Sequence, residues 1–294
     1  MKLALLQIDP VVGDLEGNAA KIAAGVRQAG RQGADLAVTP ELALLGYLPR
    51  DLLLDPSFIR RGWQALADLA RDLSGQPPAL VGLAEENRAD VGRPLFNSDV
   101  LLKDGRIGPC FRKTLLPTYD VFDEDRYFEP VHQPQILELN NWRLGVTICE
   151  DVWNDRDYWQ RQRYHDDPIM SLAAQGVRAV LNLSASPFSV GKQARREEML
   201  AKMAAKYDLP LAYVNQVGGN DDLIFDGRSS VFDGSGQLIA RGRGFEEDLI
   251  LVDLESLKGQ VPEDDFSPES EIWRALVLGL RDYAVKCGFK EALL

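Results

Sequence analysis

Apolar and polar residues along the chain repeat with two different periods. Short apolar runs such as "LALLQID" (3–9) and "ALVGLAEE" (79–86) are typical of buried strands. The stretch 16–34 instead places Ile22, Val26 and Ala29 at helical spacing, which predicts an amphipathic helix. By the same criteria, we predict a helix at 58–75, helices at 168–177 and 193–207, and strands at 35–41, 143–151, 179–186, 211–219 and 248–254.

Two segments predict hairpins. Lys103-Asp104-Gly105 lies between two apolar runs within 97–109, and Gly234-Ser235-Gly236 does the same within 229–242. Helices between strands indicate parallel pairing, whereas hairpins indicate antiparallel pairing. The pattern therefore predicts an α/β fold with mixed sheets in one compact domain.

The last part of the chain differs in composition from the rest. Residues 260–271, "QVPEDDFSPESE", read as an acidic linker that contains proline. A helix is expected after it, and "KEALL" (290–294) resembles the start of a further strand, so we expect a second domain to follow and this helix to serve only for docking it. The apolar stripe of the helix is predicted to consist of Trp273, Leu276, Val277, Leu280, Ala284 and Cys287.

Charge and cysteine content exclude several classes of protein. The chain has 294 residues, 45% of them hydrophobic, and a net charge of -12 without a basic run, which argues against a nucleic-acid groove or an anionic membrane surface. No apolar stretch reaches membrane-spanning length, and the first residues do not read as a signal peptide. The cysteines, Cys110, Cys149 and Cys287, are widely spaced. This spacing predicts neither a disulfide framework nor a metal site and suits a reducing cytoplasm.

Several predicted strands end in residues that can carry chemistry. Glu41 ends one strand, Cys149 ends another, and Ser184 and Ser186 end a third. Because ligands collect beyond the carboxyl ends of parallel strands, these residues are expected to line one crevice. Taken singly, each has a structural alternative: a lone cysteine is often a small buried apolar residue, and serines after strands are often caps.

A working Cys149 needs a cation, because Glu150 and Asp151 follow it and carboxylates oppose thiolate formation. Lys113 is the candidate. It could also donate to a developing oxyanion, while Glu41 acts as the base. The two histidines, His132 and His165, lie in polar loops and are predicted to be solvated.

Three motifs resemble the nitrilase-type carbon–nitrogen hydrolases: "TPELALLGY" (39–47), "FRKTLLPTYDVFDEDRYF" (111–128) and "TICEDVW" (147–153). With "NLSASPF" (182–188) and "GGNDDLIFDGRSSVFD" (218–233), they are similar to one branch, the glutaminase domains of glutamine-dependent NAD+ synthetases. The resemblance implies a four-layer α-β-β-α sandwich. It also implies a glutaminase domain over 1–258, followed at 259–294 by a linker and helix that lead toward an absent synthetase domain.

The same resemblance implies roles for individual residues. Cys149 is expected to be the nucleophile and Glu41 the general base. Lys113 would form the oxyanion hole together with the backbone N–H of Glu150, whose side chain is expected to point away from the site, as is that of Asp151. The remaining implied residues are Glu124, which would orient the triad, Tyr119 and Ser186, which would hold the amino-acid end of glutamine, and Cys110, which would have no role.

The expected reaction is hydrolysis of glutamine to glutamate and ammonia without a cofactor, with the ammonia used to convert deamido-NAD+ to NAD+. ATP, Mg and deamido-NAD+ would be bound only by the synthetase domain, because the chain contains no SGGxDS phosphate-binding loop. The resemblance also implies a homo-oligomer. The alternatives are a stand-alone amidase for another small amide, and an interaction domain without activity; no G-x-G-x-x-G supports a dinucleotide binder.

Overall fold

Two six-stranded sheets and one two-stranded hairpin contain all the strands of the computed structural model, which describes residues 1–291 and 293. Five α-helices accompany them in the described residues: α1 (Leu15–Arg31), α2 (Pro56–Asp72), α3 (Pro168–Ala174), α4 (Lys192–Tyr207) and α5 (Pro268–Lys286). The strands are β1 (Lys2–Gln7), β2 (Leu36–Val38), β3 (Ala79–Glu86), β4 (Leu95–Lys103), β5 (Arg106–Arg112), β6 (Ile136–Leu139), β7 (Trp142–Ile148), β8 (Ala179–Ser184), β9 (Leu211–Asn215), β10 (Val217–Asn220), β11 (Leu223–Asp226), β12 (Ser230–Phe232), β13 (Leu238–Arg241) and β14 (Asp248–Asp253).

Both large sheets are mixed, as predicted. In the first, ordered β14-β1-β2-β3-β4-β5, the pairs β1–β2 and β2–β3 are parallel and the outer pairs are antiparallel. In the second, ordered β13-β12-β9-β8-β7-β6, the pairs β7–β8 and β8–β9 are parallel. The carboxyl ends of β2, β7 and β8 carry the residues selected from the sequence.

The layers follow from which face of each strand is apolar. Alternate β1 residues such as Leu3 and Leu5 pack between the sheets, whereas Ala4 and Leu6 pack beneath α1 and α2. On the outer face of the second sheet, Val180 packs with Met199 of α4. Because both sheets are buried on two faces, their strands read as continuous apolar runs. The expected four-layer α-β-β-α sandwich is confirmed.

The sequence prediction missed β6, β11 and the break in the 211–219 run. The run was expected to be one strand, but it divides at Gln216 into β9 and β10, and β10 pairs with β11 outside both sheets. Gly218 has φ 113°, and a Cβ there would lie 1.9 Å from Asp9 Oδ1. The left-handed backbone and the close approach of Asp9 therefore require a glycine at this position of β10, which the apolar pattern does not reveal.

Helix α5 begins earlier than predicted, at Pro268, and packs against the β10–β11 hairpin. Trp273, Leu276 and Leu280 of its apolar stripe are exposed, while Ala275 and Leu278 on the opposite face are buried with Val217 and Phe245. Lys290, Glu291 and Leu293 are not in a strand, and Ala292 and Leu294 of that predicted strand lie outside the described residues. Among the described helices, none has the length and apolar character needed to cross a membrane.

Candidate active site

Cys149 follows directly after β7 and begins a short 3-10 turn, Cys149–Val152. Its φ is 41°, a left-handed conformation that is unusual for a residue with a side chain and that is found preferentially at functional sites. The side chain is buried yet lies in the wall of a cavity. The backbone N–H of Glu150 belongs to the first turn of the helical segment, where N–H groups lack intrahelical partners.

Glu41 lies just beyond β2, and three groups donate hydrogen bonds to its carboxylate. Oε1 accepts from Lys113 Nζ at 2.6 Å and from Asn97 Nδ2 at 2.8 Å. Oε2 accepts from the backbone N–H of Ala185 at 3.1 Å, at the end of β8. Since these donors come from both sheets, the orientation of the carboxylate is fixed by the sandwich as a whole.

Lys113 follows β5 and is completely buried between two carboxylates. Its Nζ lies 2.6 Å from Glu41 Oε1 and 2.8 Å from Glu124 Oε2. Burial alone would lower the pKa of this ammonium, but the two carboxylates, Glu124 first, raise the pKa well above its usual value. Lys113 is therefore a permanent cation in the site.

The thiol of Cys149 is expected to be protonated at rest. Burial, and then the Glu41 carboxylate, raise the pKa of Cys149 well above its ordinary value, although Lys113 acts in the opposite direction. The cation needed near Cys149 is thus present, but two carboxylates compensate its charge. Thiolate formation requires removal of this proton, and the buried Glu41 carboxylate is close enough to affect the pKa of the thiol.

Glu124 completes the buried charge cluster. Besides Lys113, its carboxylate accepts a hydrogen bond of 2.8 Å from the phenol of Tyr47. Burial raises the pKa of Glu124, against the opposing effect of Lys113. Tyr47 was not selected from the sequence. The only sequence feature that could have indicated a role for it is its position six residues after Glu41, at the end of "TPELALLGY".

Asp151 connects the segments that carry Cys149 and Lys113. Its Oδ1 accepts from the backbone N–H groups of Thr114 and Leu115 at 3.1 and 2.8 Å. Its Oδ2 accepts from the N–H of Ile148 at 2.9 Å. This side chain is structural and faces away from the cavity, in agreement with expectation.

Glu150 does not point away, and the expectation for its side chain was wrong. The carboxylate lies in the wall of the cavity that contains Cys149, and it accepts hydrogen bonds from the phenols of Tyr119 at 2.9 Å and Tyr164 at 3.0 Å. Burial raises the pKa of Glu150, while the two phenols partly offset that effect. The physical reason is that two tyrosine donors satisfy the carboxylate there, so a buried acid is tolerated beside the thiol.

The cavity has a volume of about 770 Å³, which is in the usual range for a small-molecule site. Tyr119 and Ser186 both line it, so the prediction that they bind a substrate remains open to test. The N–H of Ser186 donates to Asn215 Oδ1 at 2.9 Å, which fixes the start of the loop after β8. Ser184, by contrast, donates to Asn182 within β8.

Sequence reasoning missed the cationic side of the cavity. Lys192, the first residue of α4, lines the wall, and its Nζ donates to the carbonyl oxygen of Pro187 at 2.8 Å. Burial, and then the nearby Arg196 guanidinium, lower the pKa of Lys192 to about 8. Arg163 lies 3.6 Å from the centre of the Tyr119 ring. The sequence feature that could have indicated Lys192 is the preceding Gly191, because a glycine there predicts that a helix begins at Lys192.

The remaining selected residues lie outside the site. His132 contacts Asp166 on the surface, and His165 is exposed, so both histidines are solvated as predicted. Cys110 is half-buried on β5 and packs against the core beneath the helices. Cys287 is exposed at the end of α5.

The carbon-nitrogen hydrolase family profile matches residues 2–262, and the chain belongs to this family. It is similar to the glutamine-dependent NAD(+) synthetases of Synechocystis sp., with 45% identity over 300 residues and 99% of the chain covered, and of Thermotoga maritima, with 37% identity over 332 residues and 100% covered. The chain spans about half the length of these curated relatives, 54% and 55% respectively.

Solved structures of a glutamine-dependent NAD+ synthetase and of an amidase are also similar to the chain. A glutamine-dependent NAD+ synthetase from Acinetobacter baumannii superimposes with a TM-score of 0.85 at 34% identity, covering 97% of this chain and 52% of the other. An amidase from Nesterenkonia sp. AN1, with an acetamide moiety added covalently at its active site cysteine, gives a TM-score of 0.72 at 25% identity, covering 86% and 90%. The nitrilase-type fold expected from the motifs is thus confirmed.

Proposed function

We propose that the protein hydrolyses the side-chain amide of glutamine with Cys149 as nucleophile, Glu41 as general base and Lys113 as electrostatic partner. The observation that carries this proposal is the buried cluster of Lys113 between Glu41 and Glu124, beside a cysteine in the wall of a cavity. Such a cluster is costly to bury and is typical of functional sites.

In the first half of the reaction, Glu41 takes the proton from the Cys149 thiol while Sγ attacks the amide carbon. The resulting oxyanion is stabilised by the Lys113 ammonium and the N–H of Glu150. When the C–N bond breaks, Glu41 returns its proton to the leaving nitrogen, ammonia departs, and a thioester remains on Cys149.

In the second half, water attacks the thioester. Glu41 takes the proton of this water, the same two donors hold the oxyanion, and the C–S bond breaks. The Cys149 sulfur recovers a proton from Glu41, and glutamate leaves. Glu124, held by Tyr47, keeps Lys113 in place throughout.

The charges that line the cavity favour an amino-acid amide over a simple amide. Lys192, which is half-buried, offers a cation, and Glu150, which is buried, offers a carboxylate in the same cavity. We assign the α-carboxylate of glutamine to Lys192 and Ser186, and its α-ammonium to Glu150 and Tyr119. A simple neutral amide would bring no opposite charge to either the Lys192 ammonium or the Glu150 carboxylate, so it would form neither charge-assisted contact in the cavity.

We further propose that the released ammonia serves NAD+ synthesis, the reaction that gives the similar proteins their name. In this scheme residues 1–258 form the glutaminase unit, and 259–294 form the connection to a synthetase unit. ATP, Mg and deamido-NAD+ belong to that unit, and this chain alone would not convert deamido-NAD+ to NAD+.

The likeness to an amidase favours a second candidate, hydrolysis of another small amide. Ammonia release by the whole chain from glutamine, asparagine, acetamide and butyramide separates the two. Glutamine should give by far the highest kcat/KM, and Cys149→Ala should abolish the reaction. Equal or better turnover of acetamide would overturn the glutamine assignment in favour of the amidase.

A further inference from the structure

Glu271, in the first turn of α5, is buried and directs its carboxylate away from its own helix. Oε2 accepts a hydrogen bond from the backbone N–H of Gly191 at 3.1 Å. Oε1 lies 2.5 Å from Arg228 Nη1. Only 1% of Glu271 is exposed, so both contacts are made in a medium where an acid needs partners.

The partner Gly191 is the residue before Lys192, which lines the substrate cavity. Gly191 has φ 74° and forms the start of α4. Two hydrogen bonds within residues 187–192 hold the conformation of this segment. Lys192 Nζ donates to Pro187 O, and the Lys192 N–H donates to Ser189 O at 3.0 Å. Glu271 therefore holds the backbone at the residue before the cavity cation.

The same segment, 186–192, contacts α5 at a second point. The ring of Phe188 packs edge-on against Phe245, with centroids 5.3 Å apart. Phe245 in turn packs in one cluster with Ala275 and Leu278 of α5. One hydrogen bond and one apolar contact thus fix segment 186–192 to the helix that the sequence analysis expected to lie outside the glutaminase unit.

Arg228 gives Glu271 a fixed position. The guanidinium is completely buried, and its Nε donates to Asp264 Oδ2 at 2.7 Å while Nη1 serves Glu271. Asp264 contacts Arg228 but makes no contact with Gly191 among the described hydrogen bonds. The two acids therefore share one arginine and differ in whether they reach the cavity segment.

We infer that Glu271 is a positioning residue for glutamine binding. By holding the N–H of Gly191, it keeps segment 186–192 in the conformation that presents the Lys192 ammonium and Ser186 to the α-carboxylate of the substrate. The inference rests on the proposed glutaminase function. It places a determinant of glutamine affinity on α5, outside the proposed glutaminase unit 1–258.

Glu271→Ala in the full chain tests this directly. Loss of a hydrogen bond to a charged group corresponds to roughly a tenfold effect, so KM for glutamine should rise about tenfold while kcat stays within about threefold. Glu271→Asp keeps the charge beside Arg228 but shortens the reach to Gly191, and it should raise KM as well. It replaces the alanine variant if that protein does not fold.

Two control variants separate positioning from general loosening. Asp264→Asn weakens the same arginine without touching Gly191, so it should lower Tm but leave KM unchanged. Glu269→Gln, on the exposed side of the same helical turn, should change neither. A KM change in Asp264→Asn as large as that in Glu271→Ala would show a merely structural role.

A double-mutant cycle tests the route through Lys192. In a Lys192→Met background, Glu271→Ala should raise KM clearly less than it does in the wild-type chain, because the cation that it positions is absent and only Ser186 remains. Alkylation of Cys149 by iodoacetamide, which needs no carboxylate anchor, should proceed at the wild-type rate in Glu271→Ala. Additive effects, an unchanged KM, or an equal slowing of alkylation would each overturn the inference. Failure of the wild-type chain to hydrolyse glutamine would instead refute the proposed function.

Discussion

Lys113 Nζ lies 2.6 Å from Glu41 Oε1, and neither side chain has any exposure to solvent. Glu124 is a second acid beside Lys113, so removing Lys113 would leave two buried carboxylates without their cation, whereas removing Glu41 would leave the ammonium with Glu124 alone. The base and the cation of the proposed mechanism are therefore a single unit, and each is expected to depend on the other for its position.

We predict that Lys113→Ala and Glu41→Gln each lower kcat by at least ~10²-fold, the scale of losing an oxyanion donor or a general base. Lys113→Arg should not restore activity, because a planar guanidinium does not fit a fully buried site shaped for a compact ammonium. Steady-state ammonia release checks kcat, and circular dichroism checks folding. Near-wild-type turnover in a folded variant would remove that residue from the mechanism.

An electrophilic glutamine analogue should label Cys149 and neither Cys110 nor Cys287. Cys149 lines the cavity, Cys110 lies half-buried on another strand with a pKa raised by burial and Glu85 to about 11, and Cys287 is exposed but has no substrate site. Peptide mass spectrometry locates the adduct. Iodoacetamide is the matched control and should modify Cys287 readily. Labelling of Cys110 by the analogue, with Cys149→Ala still active, would contradict the assignment.

Tyr119→Phe and Ser186→Ala should raise KM for glutamine more than they lower kcat, because the groups they contact do not react. Tyr119→Phe also leaves the Glu150 carboxylate with Tyr164 as its remaining phenol donor. Tyr158→Phe, a surface phenol that contacts Glu198, is the matched control and should change neither constant. If both cavity variants keep the wild-type KM, glutamine lies elsewhere.

Glutamine binding should weaken as pH rises through about 8. Lys192 is protonated below its lowered pKa of about 8 and neutral above it, so the cation that holds the α-carboxylate is lost on the alkaline side. KM should rise about tenfold from pH 7 to 9, the scale of a lost charged hydrogen bond. Lys192→Met should have a raised KM with no inflection near pH 8. An inflection that persists in this variant would assign it to another group.

Deleting residues 268–294 should destabilise the protein strongly. The deletion removes Glu271 from the buried Arg228 and uncovers Phe245, and breaking a buried ion pair costs about 3–5 kcal/mol. Deleting only 287–294, whose described residues are exposed, should leave stability within about 0.5 kcal/mol, as is usual for changes at exposed positions. Urea unfolding of both proteins measures the difference. Equal stability would support the expectation that the helix serves only for docking.

The sequence predicted the features that follow from local pattern. Continuous apolar runs correctly predicted the strands that are buried on both faces, and the helical spacing of Ile22 and Val26 correctly predicted α1. The strand-end rule predicted that Glu41, Cys149, Ser184 and Ser186 line one crevice. Cys149 and Ser186 do line one cavity, whereas Glu41 and Ser184 are completely buried and do not belong to its wall. The correct predictions succeed because burial on two faces and the chain direction of parallel strands leave a direct trace in residue order.

The remaining features depend on contacts that residue order does not show. Glu150 was expected to point away because two adjacent acids beside a thiol are unfavourable; the compensating phenol of Tyr164 lies fourteen positions away. The apolar stripe of α5 was recognised, but not the buried acids Glu271 and Asp282 on its opposite face. From sequence alone, an acidic residue is predicted to be exposed to solvent unless a buried cationic partner, such as Arg228 for Glu271, is predicted as well.

One side chain, that of Asp151, connects the segment that carries Cys149 to the segment that carries Lys113. Its three backbone contacts join the end of β7 in one sheet to the segment after β5 in the other. These contacts fix the positions of Cys149 and Lys113 relative to each other across the interface between the two sheets. Because one side chain makes all three contacts, we expect a relative displacement of the two sheets to move Cys149 and Lys113 together and to change the distance between them little.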